Sequence, residues 1–227
     1  MILGIDTTTP RLSLALSLSQ NIIEKNILVN RRHGEVLLVE IDNLFKSEAI
    51  KFKDLEGIVV GLGPGSFTGT RVGIAAALGI AQALQIPIVG ISSFKSIAAN
   101  YLIDMTLIIE NARQNRVYAA LYTKKNYTYP VVIRENIFQN FKLLEELPQT
   151  KIGITGPYAE SFYKLIPELY KKYLYLLPNS QEQNLPSAKK LIELARDDLK
   201  KTGMSLDQIT PIYIRATQAE ENLNKLA

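Results

Sequence analysis

The chain has 227 residues, 47% of them hydrophobic, with a net charge of +4 and a pI near 9.1, enough to bury a core as one large domain or two lobes. It has no cysteine and a single histidine, which excludes disulfides, iron–sulfur clusters and thiolate zinc sites and leaves too few ligands for an ordinary zinc or iron centre. Its basic residues fall in scattered pairs such as Arg31-Arg32, Lys124-Lys125 and Lys171-Lys172, the pattern of a solvated surface rather than of a clustered nucleic-acid face.

The chain opens with an apolar strand, Met1 to Ile5, followed by a polar turn, Asp6-Thr7-Thr8-Thr9-Pro10-Arg11. Leu12 to Leu18 alternates apolar with small polar residues, the period of a half-buried strand, and Asn21 to Val29 continues an antiparallel meander. Val36, Leu37, Ile41, Leu44 and Phe45 sit at helical spacing and predict a helix from His33 to Ser47. Gly57 to Val60 reads as a buried strand that runs through Gly61-Leu62-Gly63-Pro64-Gly65-Ser66-Phe67-Thr68-Gly69 into a helix ending at Leu84. Pro87 to Ile91 is a further strand, and Ser92 or Ser93 can cap a helix through Asn100. The most apolar window, Val72 to Ile91, holds Gln82, Gln85 and Pro87 and so predicts a buried helix and a strand, not a membrane span. No segment has the order of a signal peptide.

The second half carries an echo of the first. Asp6 to Leu16 aligns without gaps on Asn111 to Leu121, with Arg11/Arg116, Ala15/Ala120 and Leu16/Leu121 identical and Asp6/Asn111 isosteric. Lys151 to Pro157 repeats the step from strand to glycine turn, with a helix after it. The shared order of elements predicts a duplicated α/β fold with two lobes, 1–103 and 104–227. Pro211 to Arg215 is expected to add a last strand or cover a lobe. Tyr158, Phe162, Tyr163, Tyr170, Tyr173 and Tyr175, with Lys164, Lys171 and Lys172 interleaved, suit core packing better than base stacking.

Two uses compete for the glycine segment. A strand, a glycine turn and a helix N-terminus can present backbone N–H groups to an anion. Asp6 could then hold magnesium, with Thr7, Thr8, Thr9, Gly63, Gly65 and Ser66 gripping a phosphate. No lysine lies between Lys53 and Lys95, so a Walker loop is excluded. The other use is close packing. Gly69 and Gly73 are four residues apart, and Ala76, Ala77 and Ile80 continue their stripe. Glycine costs about 1 kcal/mol against alanine inside a helix, so two on one face imply a backbone that needs the space. With His33, Val36, Leu37 and Arg71 they form the expected interface, towards this chain or another subunit. A nucleophile–base pair of Ser66 and His33 is the weakest reading, since geometry defines such a pair.

These residues resemble those of the bacterial TsaB (YeaZ) family. The resemblance rests on Ile2-Leu3-Gly4-Ile5-Asp6-Thr7-Thr8-Thr9, on His33, on the Gly-Pro-Gly-Ser-Phe-Thr-Gly core at Gly63–Gly69, and on Gly90-Ile91-Ser92-Ser93. It thins afterwards to Ala112-Arg113, Val117-Tyr118 and Pro211 to Arg215, and Asn111 stands where the family usually has aspartate. It implies an actin/Hsp70/sugar-kinase-like (ASKHA) duplicated fold. It further implies a cytoplasmic, non-catalytic partner of a TsaD-type enzyme in forming N6-threonylcarbamoyladenosine on tRNAs that read codons beginning with A. The resemblance also leads to the expectation that a TsaE-type ATPase and tRNA join through the complex, that the chain forms a homodimer when alone, and that ATP or ADP with magnesium binds only in the complex. The residue-based alternatives are a small ATP-dependent phosphotransferase and a peptidase.

Overall fold

The computed structural model describes residues 1–19, 21–30, 32–113, 115–124, 141–178, 182–200 and 203–213, and the backbone alone of 131–139. The first sheet contains β1 (Ile2–Asp6), β2 (Arg11–Ser17), β3 (Ile22–Leu28), β4 (Gly57–Gly61) and β5 (Ile88–Ile91), in the order β3-β2-β1-β4-β5. The second contains β6 (Met105–Arg113), β7 (Arg116–Thr123), β8 (Val131–Gln139), β9 (Ile152–Thr155) and β10 (Leu174–Leu176), in the order β10-β9-β6-β7-β8. Numbered within its own half, each sheet runs third, second, first, fourth, fifth. In each, the first strand pairs antiparallel with the second and parallel with the fourth. Arg11 and Arg116 both open the second strand of their half, so the sequence echo is a structural equivalence. This is the duplicated actin/Hsp70/sugar-kinase-like architecture.

The helices follow their patterns. α1 (His33–Ser47) buries Leu37, Ile41, Leu44 and Phe45 against the first sheet. α2 (Phe67–Leu84) starts at Ser66, whose Oγ accepts the Gly69 N–H, and stops where Gln85 turns left-handed ahead of Pro87. By length and composition α2 could cross a bilayer, yet Ile74, Ala77 and Ala81 pack into the core beneath it. α3 (Ser93–Ala98) lies between the sheets. Its Phe94, Ile97 and Ala98 form an apolar seam with Ile108, Ala120 and Tyr122 of the second sheet. The seam holds the two lobes in contact.

The expected boundary at residue 103/104 needs correction. α4 (Lys142–Glu145), α5 (Ala159–Leu165) and α6 (Glu168–Lys171) stay with the second sheet. α7 (Ala188–Lys200) returns to the first, packing Ala188, Leu191, Ile192 and Ala195 on Ala15, Val59, Val89 and Ile91. The first lobe is therefore discontinuous in sequence. The same return explains why β2 is buried on both faces instead of half-buried. Ser13 lies under α7, where its Oγ donates to Glu24 Oε1 and accepts the Ala188 N–H. Glu24 also accepts from Ser187 Oγ and the Lys189 N–H, placing a carboxylate at the start of α7. The described part of the tail, through Tyr213, is not a strand; the Ile212 N–H bonds the Leu62 carbonyl and covers the first lobe. Ile214 and Arg215 lie outside the described residues. Tyr158, Tyr163, Tyr170 and Tyr173 pack around Phe162 in the second core.

Candidate functional site

The turns after β1 and β4 meet at one end of the first sheet, where Asp6 is 1% exposed. Its Oδ1 accepts the Thr8 N–H at 2.9 Å and the Thr8 hydroxyl at 2.7 Å, and its Oδ2 accepts the Ser93 hydroxyl at 2.6 Å. Burial pushes the carboxyl above its ordinary range, against these hydrogen bonds and the Arg11 charge. Ser93 Oγ in turn accepts the Gly63 N–H, so one hydroxyl ties α3 to both turns. Nothing larger than glycine fits at Gly61, because a Cβ there would overlap the Asp6 carboxylate.

An anion cradle needs outward-facing donors, and here the Gly63, Ser66 and Gly69 N–H groups and the three threonine hydroxyls point inward. The Ser66 N–H bonds the Thr8 carbonyl at 2.7 Å, the Gly69 N–H bonds Ser66 Oγ, and the Gly63 N–H bonds Ser93. Thr7 Oγ1 donates to the Gly69 carbonyl, Thr8 Oγ1 to Asp6, and Thr9 Oγ1 to the Arg11 carbonyl. The expected phosphate set of Asp6, Thr7, Thr8, Thr9, Gly63, Gly65 and Ser66 is thus brought together, but as a self-satisfied knot. Gly65 serves close approach, since a Cβ there would overlap the Thr8 carbonyl. Among the described residues no group of three or more His, Asp or Glu is placed to hold a metal.

The interface stripe divides in a similar way. A Cβ on Gly69 would overlap the Thr7 carbonyl oxygen and one on Gly73 the Thr7 hydroxyl. Their space is taken by Thr7 of the chain's own β1–β2 turn, through its backbone at Gly69 and its side chain at Gly73, and not by a second subunit. Leu37 and Ala77 are core residues, and His33 is 4% exposed. Val36, Ala76 and Ile80 are half-buried and Arg71 is exposed. An unpredicted apolar set lies on the outside: Leu38 and Val39 of α1 are 62% and 56% exposed, and Gly79 of α2 faces open space. The helical period assigned α1 its inner face; what covers its outer face is not a local property of the sequence.

Between the lobes lies a cavity of about 630 Å³, bordered by Thr9, His33, Ser66, Glu110 and Asn111. Burial lowers the His33 pKa, against hydrogen bonding to the Thr9 and Arg11 backbone and the Asp6 charge, and so favours the neutral ring. No hydrogen bond links it to Ser66, whose hydroxyl caps α2, so the nucleophile–base pair is not assembled. Asn111, the counterpart of Asp6, accepts the Arg113 N–H through Oδ1 and turns its own β-hairpin. Sequence reading missed Glu110. Its carboxylate accepts the Asn111 N–H, and burial pushes its pKa up to about 7. A carboxyl raised from an ordinary 4.5 stabilises the fold in its neutral form. That contribution is present below pH 4.5 and is lost as pH rises through 7, on the order of 1–3 kcal/mol. Urea unfolding of the wild type should therefore lose stability relative to Glu110→Gln across this window; a constant difference between the two would remove the assignment.

Residues 18–222 match the family model described as TsaD, tRNA N6-adenosine threonylcarbamoyltransferase. The chain is 29% identical over 227 residues to the tRNA threonylcarbamoyladenosine biosynthesis protein TsaB of Bacillus subtilis, covering 96% of each. To the protein of the same name from Escherichia coli it is 25% identical over 230 residues, covering 98% of this chain and 97% of that one. The solved structure of YeaZ from Pseudomonas aeruginosa superposes with a TM-score of 0.79 at 23% identity, over 93% of this chain and 98% of that one. This last likeness concerns the fold.

Proposed function

We propose, from the premise that the chain belongs to the tRNA N6-adenosine threonylcarbamoyltransferase (TsaD) family and within it to the TsaB/YeaZ type, that it is the supporting and not the catalytic subunit in threonylcarbamoyladenosine formation. The observation that carries this reading is the inward-facing knot at Asp6–Thr9 and Gly63–Gly69. The hydroxyls of Thr7, Thr8 and Thr9 and the N–H groups of Thr8, Gly63, Ser66 and Gly69, which could have gripped a transferred phosphate there, already bond the chain itself. The apolar seam through Phe94, Ile97 and Tyr122 also opposes the lobe closure that phosphotransferases use to exclude water. The same inherited fold then serves as a docking body. Its exposed apolar residues on α1 and α2 take a TsaD-type subunit, or a second copy when that subunit is absent. A TsaE-type ATPase, nucleotide with magnesium, and tRNA enter through the complex, in the cytoplasm.

Reconstituted tRNA modification should proceed with a TsaD-type subunit, a TsaE-type ATPase and this chain, and fall to background when the chain is omitted. The chain alone with magnesium-ATP should show no turnover. Turnover by the chain alone, or full modification without it, overturns the reading. Val39→Asp puts a charge on the exposed docking face, and calorimetry should show pairing with the TsaD-type subunit weakened about tenfold or more.

A further inference from the structure

α2 carries one charged side chain, Arg71, on an otherwise apolar and small-residue helix. Its guanidinium carbon lies 3.8 Å from the centroid of the Phe67 ring and 5.4 Å from that of Tyr213. Its Nε donates to the Tyr213 hydroxyl at 2.6 Å. The two rings are 5.6 Å apart and tilted by 34°. Phe67 is one helical turn before Arg71 on the same face, and Tyr213 arrives from the other end of the chain, held there by the Ile212–Leu62 hydrogen bond. The three side chains thus fix the guanidinium in one orientation on the surface, although Phe67 and Tyr213 stay 41% and 50% exposed. With Nε bonded to Tyr213, the two terminal amino groups form the edge of the fork that suits a carboxylate. No carboxylate among the described residues pairs with them.

We infer that Arg71 is the ionic anchor of the docking face, and that the paralogous subunit presents an aspartate or glutamate to it. This rests on the pairing proposed above and names the chemistry of the contact. Two aromatic rings and an arginine held in place beforehand are the composition of an interface hot spot, because little side-chain freedom is left to lose on binding. A phosphate backbone is the poorer fit. Binding to nucleic acid draws on several cations together, and α2 offers Arg71 alone among Val72, Ala75, Ala76 and Gly79. A single fork in apolar surroundings matches a single carboxylate, whose pairing strengthens as the interface excludes water.

The test is calorimetric titration of the full chain with the TsaD-type subunit from the same organism. Arg71→Lys keeps the charge but loses the fork and the stacking, and affinity should fall about tenfold or more. Phe67→Ala should give a smaller loss. Alanine replacement of the partner's surface acidic residues should find one position that reproduces the Arg71→Ala loss and adds little in combination with it. Arg71 is exposed, so unchanged circular dichroism and melting are expected in every Arg71 variant. Unchanged affinity in Arg71→Lys and Arg71→Ala overturns the inference while the docking face stands, provided Val39→Asp still weakens pairing. If Val39→Asp has no effect either, the docking face itself fails. Loss of tRNA binding by the complex with pairing intact would assign the fork to phosphate and overturn the inference as well.

Discussion

Gly69→Ala is expected to destabilise the chain by about 2–4 kcal/mol, although alanine is the better helix former by about 1 kcal/mol. The new methyl would overlap the carbonyl oxygen of Thr7, a backbone atom in a buried turn. That turn cannot retreat freely. The Thr7 hydroxyl bonds the Gly69 carbonyl, the Thr8 carbonyl accepts from Ser66, and Asp6 holds Thr8 by two further hydrogen bonds. Gly73→Ala meets the Thr7 hydroxyl instead of its backbone, so it should cost less, about 1–3 kcal/mol for a lost buried hydrogen bond and some repacking. Gly79 is the internal control, since space is open around it and alanine should stabilise by up to about 1 kcal/mol. Urea denaturation gives all three values. If Gly69→Ala and Gly79→Ala shifted stability in the same direction, the close approach of α2 to the β1–β2 turn would be disproved. Substitutions at Gly69 and Gly73 therefore report on folding, and subunit pairing is tested at exposed positions such as Val39 and Arg71.

A fragment ending at residue 103 should not fold. It would leave the α7-facing side of the first sheet bare, with Ala15, Val59, Val89 and Ile91 exposed. Leu191 and Ile192 are fully buried there, and each such side chain is worth about 1.5–3 kcal/mol of burial. Counting both sides of the contact, the loss is about 10 kcal/mol, comparable with the whole stability of a domain. The buried Ser13 would also lose its bond with the Ala188 N–H. Circular dichroism and proton NMR of residues 1–103 should show an unfolded or aggregated chain. Joining residues 182–213 to the fragment should recover native-like dispersion. A cooperatively folded 1–103 would contradict the discontinuous lobe.

Most of the elements were legible because their signals are local. The α1 spacing of Leu37, Ile41, Leu44 and Phe45 is a helix wherever it occurs, and the predicted span His33–Ser47 is the one observed. The glycine segment was legible as a turn and a close approach, but its partner was not. Whether Gly69 faces Thr7 or another molecule depends on residues more than sixty positions away, and no period or cap reports that distance.

The sequence by itself determined the order of strands and helices through α3, the doubling of the fold through the match of Asp6–Leu16 to Asn111–Leu121, and the lack of thiolate ligands. These are properties of composition, periodicity and spacing, while the family resemblance rested on particular motifs such as Gly63–Gly69. Tertiary structure alone decided that α7 completes the first lobe and that Thr7 fills the space at Gly69 and Gly73. It also decided that the turn amides bond inward and that Tyr213 fixes Arg71 on the surface. Each is a contact between distant segments, set by which surfaces the packed sheets leave open.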